Sequence, residues 1–127
     1  MAQQHVTPVF DGHDTVNTIC AAGAKDEADE FLRTIDKRDQ AKFQRYLERL
    51  RDGFQIKSPE NMRQIKGVAD ARGAEVHELK SHGGGGARLY VVRYHGRWYA
   101  THGVRRKVSD RAVSTQGEKA LRIFWGD

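Results

Sequence analysis

Hydrophobic and polar positions alternate along the C-terminal half of the chain. Residues 88–94 and 97–102 are rich in β-branched and aromatic side chains, and only His95-Gly96 separates them. A connection of this kind is typical of a tight β-hairpin turn. The turn predicts a register with Tyr94 opposite Arg97, and residues 76–80 predict a third strand that brings Lys80 beside Arg88.

In this register the two faces of the hairpin differ in chemistry, because successive side chains of a strand point to opposite faces. One face is predicted to be cationic and aromatic: Arg88, Tyr90, Val92, Tyr94, Arg97, Tyr99 and Thr101. The other is predicted to be mostly apolar: Leu89, Val91, Arg93, Trp98, Ala100 and His102. We therefore expect one face to pack on helices and the other to be exposed.

Helical spacing dominates the preceding part of the chain. A first helix is predicted after Asp26, a candidate N-cap. A longer helix is predicted to end at Gly53 and to bury an apolar stripe: Phe43, Tyr46, Leu47, Leu50 and Phe54. The dipeptide Ser58-Pro59 predicts the start of a short helical turn that docks through Met62 and Ile65.

The length of 127 residues suits one compact domain. Residues 15–21 predict a first strand and residues 114–124 predict a last helix. Residues 1–14 show no periodicity, so a flexible N-terminal arm is expected there, followed by a single domain of residues 15–127.

The net charge of +5 and the pI near 9.6 favour a polyanionic partner, either nucleic acid or an acidic protein. No apolar run approaches the ~20 residues that span a bilayer, and the first residues do not resemble a secretory signal. A cytoplasmic protein without a membrane segment is therefore expected. The single Cys20 is expected to be a buried thiol, and no histidine or cysteine spacing predicts a metal site.

A helical, basic N-terminal half is followed by the segments E-L-K, R-L-Y-V-V, R-W-Y-A-T-H-G and R-R-K. Over residues 15–120 this order resembles the phage-derived HigB-like toxins of the RelE/ParE superfamily, which belong to type II toxin-antitoxin pairs. The resemblance implies an α+β domain with helices on one face of a small, largely antiparallel sheet whose other face is concave and basic. It also implies an endoribonuclease that cleaves mRNA on the ribosome, needs no cofactor and is blocked by a cognate antitoxin, expected to be a helix-turn-helix protein.

RNA cleavage without a metal ion requires removal of the 2′-OH proton, stabilisation of charge on the phosphate and protonation of the leaving oxygen. Arg88 is predicted to bind phosphate, and Lys80 is the first candidate for proton transfer, with His102 the second. His102 lies on the predicted apolar face, where a packed core histidine is the alternative. Further phosphate and RNA contacts are predicted for Arg105, Arg106, Lys107, Tyr90 and Tyr99.

One feature of this region departs from the pattern of the family. Many RelE-like enzymes carry a tyrosine shortly after the last strand, whereas this chain has Asp110, Arg111 and Val113 there. His82 is predicted to be solvent-exposed. The glycine-rich segment that follows it lacks the ending of a P-loop, so it is predicted to be a flexible linker between strands.

Two other functions fit the same basic sheet. A ParE-like toxin would inhibit DNA gyrase by binding it, with no chemistry of its own. A small non-toxic nucleic-acid-binding protein of a mobile element would use the surface for binding alone.

Overall fold

A mixed sheet lies between two helices on one face and a third helix on the other. The computed structural model describes residues 3–68, 71–83 and 85–127. The elements follow the order β1 (Gln4–Pro8), β2 (Val16–Ala21), α1 (Glu27–Thr34), α2 (Lys37–Arg51), β3 (Met62–Ile65), β4 (Glu75–Lys80), β5 (Arg88–Tyr94), β6 (Arg97–Val104) and α3 (Asp110–Trp125).

The six-stranded sheet has the spatial order β1-β2-β6-β5-β4-β3. Strands β2 and β6 are parallel, and the other neighbouring strands are antiparallel. The parallel pair arises because α1 and α2 carry the chain away from β2 before the antiparallel strands form. The α+β class is therefore confirmed, with a mixed sheet.

Each face of the sheet has its own hydrophobic core. Helices α1 and α2 cover one face, which includes Val16, Leu79 and Leu89. Helix α3 covers the other face, which includes Tyr90 and Val92. The prediction that helices pack on one face and leave the other open is wrong. Helix α3 has an apolar stripe of its own, and burial of that stripe needs the second face.

Local sequence signals explain where α1 and α2 begin. The carboxylates of Asp26 and Asp36 accept hydrogen bonds from the backbone N–H groups of Asp29 and Asp39, so both residues are N-caps. The predicted stripe of α2 is buried at these positions: Phe43, Tyr46, Leu47 and Leu50. The prediction fails for Phe54, which lies beyond the helix and is 60% exposed.

Two strands occupy segments where the sequence predicted no strand. Strand β1 lies within the segment expected to be a flexible arm and pairs with β2. Strand β3 replaces the predicted helical turn: Met62 is buried in the core under α2, and Ile65 is buried under α3. Residues three apart share a helix face but lie on opposite faces of a strand, so burial on both sides favours the strand.

The predicted hairpin register is confirmed near the turn and fails farther along β6. The pairs from Tyr94 with Arg97 to Val91 with Ala100 are as predicted, but a bulge then shifts the register so that Tyr90 pairs with His102. Thr101 is the additional residue of the bulge. His102 therefore lies on the same face as Tyr90, and its predicted place on the apolar face with Leu89 is wrong.

Candidate functional site

An open cleft of about 750 Å³ lies where β3, β4 and β5 meet the segment that follows β6. Lys80 and Arg88 are register partners on β4 and β5, and Lys107 approaches them from beyond β6. Arg63 from β3 also lines the cleft. The structure thus brings together three of the cationic side chains that the sequence predicted, and it adds a fourth.

A buried carboxylate organises the base of the cleft. Glu78 is 1% exposed and accepts hydrogen bonds from Arg63 Nη2 and from the Tyr90 hydroxyl, both at 2.9 Å. Arg88 Nε lies 3.9 Å from the same oxygen that Arg63 contacts. A buried carboxylate is costly unless cations and hydrogen bonds compensate it. Glu78 therefore holds Arg63 and Arg88 side by side.

The Arg88 side chain is not exposed, and hydrogen bonds hold its guanidinium group in place. This side chain is nearly buried, and Nη1 donates to the Gly86 carbonyl at 3.0 Å, with longer contacts to the carbonyls of Ser81 and Ala87. Within the described residues, Nη2 of Arg88 has no hydrogen-bond partner. That nitrogen is available to donate to an anion, and the guanidinium is already oriented.

Two groups that can transfer protons also line the cleft. Lys80 Nζ donates to the Pro59 carbonyl at 2.9 Å, and its pKa is lowered by burial and by the positive charge of Arg63. His82 Nε2 lies 2.8 Å from the Glu60 carbonyl and 3.2 Å from Asn61 Oδ1. His82 is exposed, as the sequence predicted, but it faces the cleft.

The predicted cluster of residues 105–107 separates in the structure. The Lys107 N–H donates to the Gly85 carbonyl at 3.0 Å, which ties the segment after β6 to the glycine-rich loop. Arg105 instead donates to the Thr34 hydroxyl at the end of α1, at 2.7 Å. Arg106 is exposed and does not line the cleft. The expectation of a flexible glycine linker includes Gly84, which lies outside the described residues.

The cleft is not lined by Tyr90, Tyr99 or His102, because these three residues lie on the part of the sheet face on which α3 packs. Tyr90 and His102 are fully buried and their rings stack at 4.8 Å, and the Tyr99 ring packs 5.1 Å from Phe124. His102 Nε2 lies 2.8 Å from Gln116 Oε1, and burial lowers the pKa of His102 to about 4. His102 is thus a neutral core histidine at neutral pH.

Sequence reasoning missed Arg63 and Glu78 as parts of the site. The sequence shows Glu78 as a carboxylate within a predicted strand. The ion pair of Glu78 with Arg63 explains why a carboxylate is buried at this position. Arg63 was not recognisable, because its segment was predicted to be helical. Its place depends on β3 pairing with β4, where Arg63 lies opposite Glu78.

Comparison with family models, with curated proteins and with solved structures gives no significant match. Among the described helices, none is long and apolar enough to cross a membrane. The described residues contain no group of three or more His, Cys, Asp or Glu side chains that could hold a metal ion. The cleft and the chemistry of its side chains are therefore the features of this protein that indicate a function.

Proposed function

We propose that the cleft binds the RNA backbone and cleaves it without a metal ion, and that the protein is the toxin of a type II toxin-antitoxin pair. The observation that carries this proposal is the convergence of Arg63, Lys80, Arg88 and Lys107 from separate segments on one open cleft. Cations fixed beside a scissile phosphate stabilise the charge that develops in the transition state.

The side chains support a division of roles. Arg88 Nη2 and Lys107 bind the phosphate, and Arg63 adds positive charge beside them. His82 accepts the 2′-OH proton as the 2′-oxygen attacks phosphorus, and Lys80 donates a proton to the departing 5′-oxygen. The lowered pKa of Lys80 makes its ammonium group a better acid than an exposed lysine. The products are a 2′,3′-cyclic phosphate and a 5′-hydroxyl.

The biological setting follows from the family resemblance. The protein is proposed to have a RelE/ParE-like arrangement, with α3 as an addition on the second face. It is proposed to act in the cytoplasm on mRNA bound to ribosomes, to inhibit translation and growth, and to be neutralised by a cognate helix-turn-helix antitoxin.

A second candidate is a ParE-like inhibitor of DNA gyrase. The observation that favours it is the composition of the cleft, where Glu60, Glu78 and Asp110 accompany the cations. A mixed surface of this kind suits protein binding. A non-toxic nucleic-acid-binding protein remains the third candidate.

The test is to induce the protein in growing cells and map new RNA ends. We expect growth arrest and mRNA fragments with 2′,3′-cyclic or 3′-phosphate ends. Lys80→Ala should lower the yield of these fragments at least ~100-fold, the scale of one lost general acid, and should relieve the growth arrest. Lys37→Ala is the matched control, because Lys37 is exposed on α2 and does not line the cleft.

The alternatives give different results. New ends that carry mainly 3′-hydroxyls would contradict the metal-free mechanism, because metal-activated water normally leaves such ends. Growth arrest with DNA breaks and no new RNA ends would favour gyrase inhibition. Absence of any growth effect would leave the non-toxic binding protein.

A further inference from the structure

A second concave surface, of about 920 Å³, lies between the C-terminal turn of α2 and strands β4, β5 and β6. We call it the aromatic groove. The side chains that matter for its chemistry are Arg49, Phe54, Lys57, His77, Arg93 and Trp98. None of them belongs to the cleft described above.

The groove presents aromatic rings together with arginines. The Trp98 ring is half-buried, the centroids of the His77 and Trp98 rings lie 5.1 Å apart in an edge-to-face arrangement, and Arg93 Cζ lies 5.7 Å from the Trp98 ring centroid. The exposed Phe54 ring lies 5.5 Å from Arg49 Cζ. Exposed aromatic rings accept stacked bases, and nearby guanidinium groups add charge and cation–π attraction.

The charge of the groove favours a polyanion. Arg49, Lys57 and Arg93 line it, and no Asp or Glu is among its described lining residues. The cleft differs in this respect, because carboxylates line it as well. Glu60 pairs with Lys57 at 3.1 Å, but both side chains are exposed, so this ion pair is easily exchanged for another anion.

We propose that the aromatic groove is a second binding site, for single-stranded polynucleotide, in which an unpaired base stacks on Trp98 or Phe54. Arg93 and Arg49 bind the flanking phosphates. The groove and the cleft adjoin at one loop, since Lys57 and Ser58 line the groove and Pro59 and Glu60 line the cleft. The polynucleotide in the groove is the RNA that is cleaved only if the proposed function is correct. Binding of a polynucleotide in the groove does not depend on the proposed function.

The experiment uses the fluorescence of Trp98. The chain has two tryptophans, and Trp125, the last residue of α3, packs on the opposite face of the sheet from Trp98, so Trp125→Phe leaves Trp98 as the reporter. We expect a short oligouridylate to quench this fluorescence, with an affinity that falls steeply as salt rises. An abasic oligomer with the same number of phosphates should bind more weakly and leave the fluorescence unchanged.

Substitutions separate stacking from charge. In a polarisation assay with a labelled oligouridylate, Trp98→Leu should weaken binding about tenfold, the scale of one lost base stack. Arg93→Ala should also weaken binding, through the loss of a phosphate contact, and this loss should lower the salt dependence of binding. Arg33→Ala is the charge-matched control and should bind normally, because Arg33 is exposed on α1 and lines neither surface. Because Arg93 is exposed, Arg93→Ala tests the groove even if Trp98→Leu unfolds the protein.

The inference is overturned if oligouridylate does not quench Trp98, or if the abasic oligomer binds equally well. It is also overturned if polyglutamate competes as well as the oligonucleotide, since the groove would then suit an acidic protein. Lys80→Ala should keep the quenching. If oligouridylate quenches Trp98 but the wild-type protein does not cleave RNA, only the proposed function is contradicted. If the protein cleaves RNA but Trp98 is not quenched, only the binding site in the groove is contradicted.

Discussion

At the residue scale, Arg88 and Glu78 are coupled by burial. Both side chains are nearly inaccessible, and Arg88 Nε lies 3.9 Å from a Glu78 oxygen. Arg88→Ala is therefore expected to lower the free energy of unfolding by about 1 to 3 kcal/mol, because Glu78 loses part of its compensation. An exposed arginine on an open face would have had little effect.

A double-mutant cycle measured by urea unfolding checks this coupling. In the Glu78→Gln background the carboxylate charge is gone, so Arg88→Ala should cost less there than in the wild type. Equal costs in the two backgrounds would show that Arg88 does not compensate Glu78.

His102 should make stability depend on pH. Burial lowers its pKa to about 4, whereas an unfolded histidine titrates near 6.5. Above pH ~6.5 both states are neutral at this residue, so its effect is absent. As the pH falls towards about 4, the unfolded state takes up a proton that the folded state does not, and stability decreases by up to about 3 kcal/mol.

The measurement is the free energy of unfolding across this range for the wild type and for His102→Gln. The difference in the free energy of unfolding between the two proteins should shrink as the pH falls, because only the wild type contains His102. Carboxylates and other histidines titrate in both proteins, so their effects cancel in this difference. A constant difference would contradict a depressed pKa for His102.

At the scale of elements, the stripe of α2 distinguishes buried from exposed positions. Leu47 is 1% exposed in the core between α2 and the sheet, whereas Phe54 beyond the helix end is 60% exposed. Leu47→Ala should cost about 2 to 5 kcal/mol, as for other truncated core leucines. Phe54→Ala is the matched control and should change thermal stability little, and similar losses in both would mean that Phe54 is packed.

At the scale of the whole molecule, the decisive feature is the second core under α3. Ala120 is fully buried there, and Thr115 is exposed on the same helix. Ala120→Asp should cost ~3 kcal/mol or more, because it puts an unpaired charge between α3 and the sheet. Thr115→Asp should be close to neutral in the same thermal unfolding assay. Normal stability of Ala120→Asp would support a sheet with one open face.

The amino-acid sequence by itself determined the features that depend on near neighbours. The hairpin turn at His95-Gly96, the N-cap Asp26 and the buried stripe of α2 follow from local geometry and periodicity. The pairing of Lys80 with Arg88 follows from the same strand pattern, and so part of the cleft was predictable.

Only the tertiary structure decided what depends on residues far apart in the chain. The bulge at Thr101 moves His102 to the face that α3 covers, and no pattern with a strict period of two predicts this shift. The spacing of Met62 and Ile65 fits a helix or a strand, and pairing with β4 selects the strand that carries Arg63 to Glu78. Helix α3 covers the face that local alternation marked as exposed, because its own apolar stripe is stable only when packed against the sheet.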